Sequence, residues 1–380
     1  MDPAEFFSKV IEPLSDAFEP ANCGAYADLF CDILTREAGL DGAALRARYE
    51  RIRHPAPFTG EAEHVAVLSR VTLGADLAVT SVFLDAAKKR FPRARIYFAG
   101  PAKNYEMFDA DPRIEHLDVP YARRGSFAER IAAGLTLADR LPSGVLLLDP
   151  DSRLSQLGLL PLVPEARHLF FESRGYGGDS ADSITALARR WVHATLGVPD
   201  AENYAATKAN PAFAANDLIT VSLGVGENPA KRVADPFEEQ LLRLLISLDR
   251  PLLIDLGPGG EEEARVRQAL ARAGDTLSSE HVHVWRGSFA SFASSIATSS
   301  LYVGYDSSGQ HAAAAFGIPR ITIFSGFPNE RFLARWQPDG RGVSYAIRAT
   351  NPQETLDAVT RTILQAGSPS SARSTSGADT

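Results

Sequence analysis

From His64 onward the sequence alternates short apolar runs with amphipathic stretches, and it does so in two series. VAVLSRV, RIYFAG and GVLLLD are the apolar runs of the first, separated by ADLAVTSVFLDAAKKRF and FAERIAAGLTLADR. LITVSLG, PLLIDLG, HVHVW, LYVGY and RITIF form the second, separated by PFEEQLLRLLISL, EEEARVRQALARA, FASFASSIATS and GQHAAAAF. A short apolar run that recurs after every amphipathic helix is the pattern of a parallel strand covered on both faces. The expected class is therefore α/β, with two doubly wound, Rossmann-like domains. At 380 residues the chain exceeds one comfortable core, and 45% apolar residues suffice for two.

Residues 1–62 carry a helical period instead: EFFSKVIEPLSDAF, then AYADLFCDILTREAGL closing on a glycine, then AALRARYERI. They read as an N-terminal helical extension. The two α/β domains are expected over 63–200 and 215–350, with a C-terminal helix at 351–365. The polar stretch SPSSARSTSGADT reads as a disordered tail over 366–380. Mobile linkers are expected at 197–216, which is rich in Pro, Asn and small residues, and near 345–352.

Formal net charge is −8, and only six of the thirty-nine basic residues are lysine. Nucleic acid or an anionic membrane would want a cationic stripe, and none is found. No apolar run is long enough to span a bilayer and nothing resembles a secretory signal, so a cytoplasmic setting is expected. Cys23 and Cys31, eight apart in a helical segment, read as buried thiols. Two cysteines without a nearby His make a poor metal set, and no metal is expected.

Two Rossmann-like domains facing each other make a cleft walled by the carboxyl ends of their strands, where open α/β sheets bind ligands. In YDSSGQHAAAAFG, the helix after strand LYVGY begins near Ser307 or Ser308, and its unpaired N–H groups suit a phosphate as well as a simple cap by Asp306 or Ser307. His311 on that helix is equally a core histidine. In SRVTLGADLAVTS, Gly74 allows a tight turn, and Asp76 is either a helix N-terminal charge or a general base. In SLGVGENPAKRVADPF, Lys231 and Arg232 neutralise a leaving diphosphate or form a solvated pair. In LGPGGEEEARV, Glu261 or Glu262 accepts ribose hydroxyls or serves the helix dipole. Asp149, Asp151 and Arg153 after GVLLLD mark an acceptor site or an alternative position for the base.

Together these residues resemble the family 9 glycosyltransferases, the bacterial heptosyltransferases of GT-B fold, from about residue 64 to 365. GYDSSGQHAAAAFGIP is similar to the family's late motif with Asp306, Ser307 and His311 in register; Ser308 stands at the family's glycine and Gly309 follows it. SRVTLGADLAVTSVFLDAAKKRFP is similar to the early motif, with Ala75 where the family has glycine. The resemblance implies a metal-independent, inverting transfer from a nucleotide-diphosphate sugar, usually ADP-heptose, with Asp76 as catalytic base, Lys231 on the diphosphate and Glu261 or Glu262 on the ribose. No cofactor is implied beyond that co-substrate. The acceptor is expected to be a small molecule, a saccharide or a protein. The N-terminal helices are left to dock on the first domain, to shape the acceptor side or to join copies in a homo-oligomer. A non-catalytic nucleotide- or sugar-binding relative is the alternative. An NAD-dependent oxidoreductase is disfavoured, because no strand is followed by G-x-G-x-x-G with an acidic residue about twenty later.

Overall fold

The structure, a computed structural model, describes residues 6–122, 125–226, 228–257, 259–274 and 281–366, so the expected tail lies almost wholly outside the described residues. The chain divides into two compact units: residues 1–210 with 311–317 and 327–341, and residues 211–310 with 318–326 and 342–380.

The first unit holds a parallel sheet of β1 (His64–Leu68), β2 (Arg95–Gly100), β3 (Ile114–Asp118), β4 (Leu146–Asp149) and β5 (His168–Phe170), in the order β3-β2-β1-β4-β5. Val65 of β1 is flanked by Ile96 and Leu146, which sets the register at the centre of the sheet. One face is covered by α1 (Pro20–Ala38), α2 (Gly42–Ile52) and, later in the chain, Phe127–Arg140: Tyr26, Phe30, Leu34, Leu45, Tyr49 and Ile52 share a core with Ala66, Leu68, Ile131 and Leu147. Gly39, with φ 64°, closes α1 as its sequence predicts, and the Asp41 side chain caps α2. The N-terminal helices are thus a layer of the first unit's core rather than an appendage to it. In the rest of that unit Phe83 of α3 (Ser81–Arg90) stacks on Trp191 of Ile184–Leu196 at 5.1 Å. Residues 199–210, part of the stretch 197–216 expected to be a linker, are fastened to the first unit. Ala206 N–H bonds to the Met107 carbonyl at 2.8 Å, and the Tyr204 ring lies 3.9 Å under the Lys88 ammonium.

The second unit holds six parallel strands: β6 (Ile219–Ser222), β7 (Leu252–Asp255), β8 (Val282–Trp285), β9 (Leu301–Tyr305), β10 (Arg320–Phe324) and β11 (Ser344–Arg348), in the order β11-β10-β9-β6-β7-β8. The segment near 345–352 is therefore not a free linker, since β11 pairs with β10 from Arg320↔Ser344 to Phe324↔Arg348. The C-terminal helix, Pro352–Ala366, sends Val359 and Ile363 into this unit's core beside Phe237 and Leu241.

Candidate functional site

In the second sheet the strand order reverses between β9 and β6, and the carboxyl ends of those strands flank the crevice where such sheets take ligands. Lys231 ends a single helical turn, Pro229–Lys231, which the Asn228 side chain caps at Ala230 N. Ser325 Oγ donates to the carbonyls of Ala230 and Arg232 at 3.4 Å each, fixing that turn beside the end of β10. Lys231 Nζ donates to Asp306 Oδ2 at 2.6 Å and to the Asp306 carbonyl at 3.3 Å. The other oxygen of Asp306 takes the Gln310 amide. Asp306 therefore does the work of a positioner: it ties the lysine to the first turn of α4 (Ser308–Phe316). Arg232 is matched locally by Glu238, at 3.1 Å, and by Asp235.

Alanine dominates α4, and Ala312 to Ala315 are all buried. The tightest approach is at Gly309, where a Cβ would stand 2.3 Å from the Tyr302 hydroxyl. Gly309 lies in the first turn of the helix, where only hydrogen fits against the tyrosine. Tyr302 is fully buried, its hydroxyl interacts with Ser307 and Ser222, and burial pushes its phenol well above the usual range. Ser307 and Ser308 remain half-buried at the helix start. His311 packs edge-on to Trp336 at 5.8 Å, and Gln310 is a polar partner that this helix gives to Asp306.

The structure separates the two glutamates that the sequence leaves equivalent. Glu261 is exposed, whereas Glu262 turns in beneath the strand ends, takes the Val225 N–H and leaves no space for a Cβ on Gly257, which would lie 1.9 Å from Oε1. Burial, and then the charge of Asp255, raises the Glu262 pKa above the carboxylate norm. Asp255 ends β7, accepts from Gly257 N at 3.0 Å and Ser222 Oγ at 3.3 Å, and is itself raised by burial. Two neighbouring carboxyls of raised pKa suit hydroxyl groups, which donate to the ionised form and accept from the protonated one.

In the first sheet the order reverses between β1 and β4. Asp76 opens a wide, π-helical turn (Asp76–Thr80) ahead of α3 and is 1% exposed. Its Oδ1 accepts from Arg70 N at 2.6 Å and Thr80 Oγ1 at 2.7 Å, and its Oδ2 from Ser69 Oγ at 2.7 Å and Asn104 Nδ2 at 2.5 Å. Burial raises its pKa while these four donors oppose the rise. A carboxylate has about four lone-pair directions, and here each has a donor.

Asp149 is wholly buried, bonded to His168 Nε2 at 3.0 Å and to Ser152 N at 2.8 Å; His168 in turn meets Arg48 at 2.6 Å, and burial pulls its pKa down. That chain of contacts runs into the sheet. Asp151 holds Arg174 at 2.5 Å and Ser173 at 2.6 Å, while Arg153 stands half-buried at the start of the next helical turn. Sequence reasoning missed Ser69, Thr80, Asn104, Asp255 and Gln310. Ser69 and Asp255 carried a usable signal, because each ends or follows an apolar run at the strand's carboxyl end. Among the described residues no group of three His, Cys, Asp or Glu side chains is placed to hold a metal, and no helix is long and apolar enough to cross a membrane.

Two parallel sheets, each with its order reversed at the strand ends just described, make an α/β fold of GT-B type. Among solved structures the chain is similar to the glycosyl transferase family 9 protein of Veillonella parvula, with 14% identity over 81% of this chain and 99% of that one and a TM-score of 0.59. It is similar to the E. coli heptosyltransferase WaaC with ADP, at 17% identity over 80% and 100% of the two chains, TM-score 0.55. It is similar also to the E. coli ADP-heptose lps heptosyltransferase II, at 17% identity over 80% and 99%, TM-score 0.51. At these identities the likeness is one of fold. No protein-family model matches the chain, and no curated protein matches it.

Proposed function

We propose that the protein is an inverting glycosyltransferase that takes a sugar from a nucleotide diphosphate, ADP-heptose being the donor best supported, and passes it to an acceptor hydroxyl. The observation that carries the reading is Lys231, held by Asp306 at the amino end of α4 on the second unit's switch point. A fixed ammonium beside helix N–H groups is arranged for the charge that grows on a departing diphosphate. Glu262 and Asp255 take the ribose hydroxyls. The heptosyltransferase crystallised with ADP lends this nucleotide its place in the proposal. His311, Ser307, Ser308 and Gly309 contribute by shaping the helix end, and Arg232 by its charge. The buried, unpaired Cys23 and Cys31 suit the cytoplasm, where such a donor would be met.

In the first unit Asp76 is the base. The acceptor oxygen bonds to the anomeric carbon from the face opposite the diphosphate, the bond from that carbon to the diphosphate oxygen breaks, and the hydroxyl proton passes to Asp76. Since four donors already surround Asp76, the acceptor hydroxyl must displace one of them. Asn104 is the one to yield: its Oδ1 is buried without a partner, so its amide gains a bond when it turns. The positive charge that offsets the negative charge growing on the leaving diphosphate comes from side chains, and the scheme invokes no metal.

Saturation of Asp76 by its donors also favours a second reading, a nucleotide-binding relative without turnover. Purified protein incubated with ADP-heptose, water standing in for the acceptor hydroxyl, decides between them. Release of ADP that falls by about 10²–10⁴ in Asp76→Asn, with ADP affinity kept, is the expected outcome. ADP binding without any donor consumption by the wild type supports the second reading, and failure to bind ADP at all removes both. Lys231→Met should weaken ADP at least tenfold, because it removes a charge-assisted bond and leaves Asp306 unmatched.

A further inference from the structure

A second cluster of charges lies under α1 and α2, and the reaction above does not use it. Arg174 donates to Asp151 at 2.5 Å, and its guanidinium lies 4.6 Å from the centre of the Tyr26 ring on α1. Arg53, just after α2, donates to Glu172 at 2.9 Å, and Glu172 also takes the Tyr49 hydroxyl of α2. Arg70 joins through Ser173 Oγ at 2.9 Å, which donates onward to Asp151 at 2.6 Å. Cys23 of α1 comes within reach of the same charges, and burial raises its thiol to about 12, so it remains neutral among them.

Each carboxylate oxygen of Asp151 and Glu172 has a donor, while donors of the network lack acceptors. The Tyr26 hydroxyl, Arg174 Nε and Arg53 Nε are buried without hydrogen-bond partners, and Tyr26 is only 2% exposed. Each buried donor left without an acceptor costs about 1–3 kcal/mol, which a purely structural network would avoid by supplying one. Three guanidiniums, of Arg53, Arg70 and Arg174, face the two buried carboxylates of Asp151 and Glu172; Arg53 also reaches the exposed Glu50 at 3.4 Å, and Asp76, beyond Arg70, is already held by its own donors. What the cluster lacks is oxygen atoms carrying negative charge, the ligand that guanidinium edges and a phenol bind best.

We propose that Tyr26, Arg174 and Arg53 form a binding site for an oxyanionic group, a phosphate or a carboxylate, on the acceptor. The N-terminal helices then select the acceptor, since α1 brings the tyrosine and the end of α2 the arginine. The word acceptor rests on the transferase reading; the oxyanion site itself does not.

The test titrates inorganic phosphate and acetate, each alone and each in saturating ADP, into the full chain, following the unfolding midpoint and the heat of binding. One of the two anions should bind in the presence of ADP, and which one does so identifies the acceptor group. Tyr26→Phe, which keeps the ring under Arg174, should weaken that anion about fivefold, and Arg174→Lys at least tenfold, with ADP affinity unchanged in both. The proposal is overturned if neither anion binds, if both variants bind like the wild type, or if Lys231→Met abolishes the binding instead. Should ADP fail to bind, the donor assignment falls while the anion titration without nucleotide still reads this site.

Discussion

Asp76 is buried and Glu262 half-buried, and burial raises the pKa of each above its unfolded value. The sign of the consequence is the same for both. An unfolded chain gives up these protons first as pH rises, so the stability they contribute is present in acid and is lost as pH passes through the raised folded pKa. Glu262→Gln removes that loss at one site. The variant should therefore gain stability relative to the wild type as pH is taken from 4 to 7, measured as the difference between urea midpoints at each pH. A difference that stays flat, or that grows in the opposite direction, would contradict the half-buried, inward placement of Glu262. The choice of Glu262 over Glu261 was not legible in the sequence, because three successive glutamates differ only in which direction the helix points them. Asp76 was legible as a strand-end carboxylate; the four donors around it come from residues up to 28 apart and were not.

At the scale of elements, α4 shows how small side chains bring a helix end close to a sheet. Gly309→Ala sets two effects against each other: alanine favours a helix by about 1 kcal/mol over glycine, while the new methyl would overlap the buried Tyr302 and cost about 1–3 kcal/mol. Overlap is expected to win, because Tyr302 sits in the central strand β9 and cannot swing aside. The variant should lose stability by thermal melt and bind ADP more weakly as the amino end of α4 moves. The alanine run and the glycine that follows it announced this helix in advance. Strands β3, β5 and β11 were not announced. Ile114–Asp118 and Ser344–Arg348 are edge strands with mixed, partly exposed residues, and His168–Phe170 is only three residues long, so none presents the apolar run by which the inner strands were found.

For the molecule as a whole, the N-terminal helices are the part whose importance the structure changed most. Removing residues 1–53 would uncover one face of the first sheet and withdraw Tyr26, Phe30, Leu34, Leu45, Tyr49 and Ile52 from its core. At about 1.5–3 kcal/mol for each large apolar side chain, that loss equals or exceeds the 5–15 kcal/mol by which domains are stable. A chain beginning at His54 is expected to be insoluble or to lack a cooperative melt, whereas trimming 367–380 should leave the melting point unchanged. A truncated protein that melts cooperatively near the wild-type temperature would refute this account. The sequence by itself determined the fold class, the two series of strands and helices, and the strand-end turns that hold Asp76, Lys231 and the start of α4. These follow from local period and turn chemistry, which neighbouring residues carry among themselves. Tertiary structure alone decided that Asp306 serves Lys231 and that Tyr26 and Arg53 reach Arg174 and Glu172. Such pairings join residues 75 to 150 positions apart, and no periodicity records which distant side chains packing will bring together.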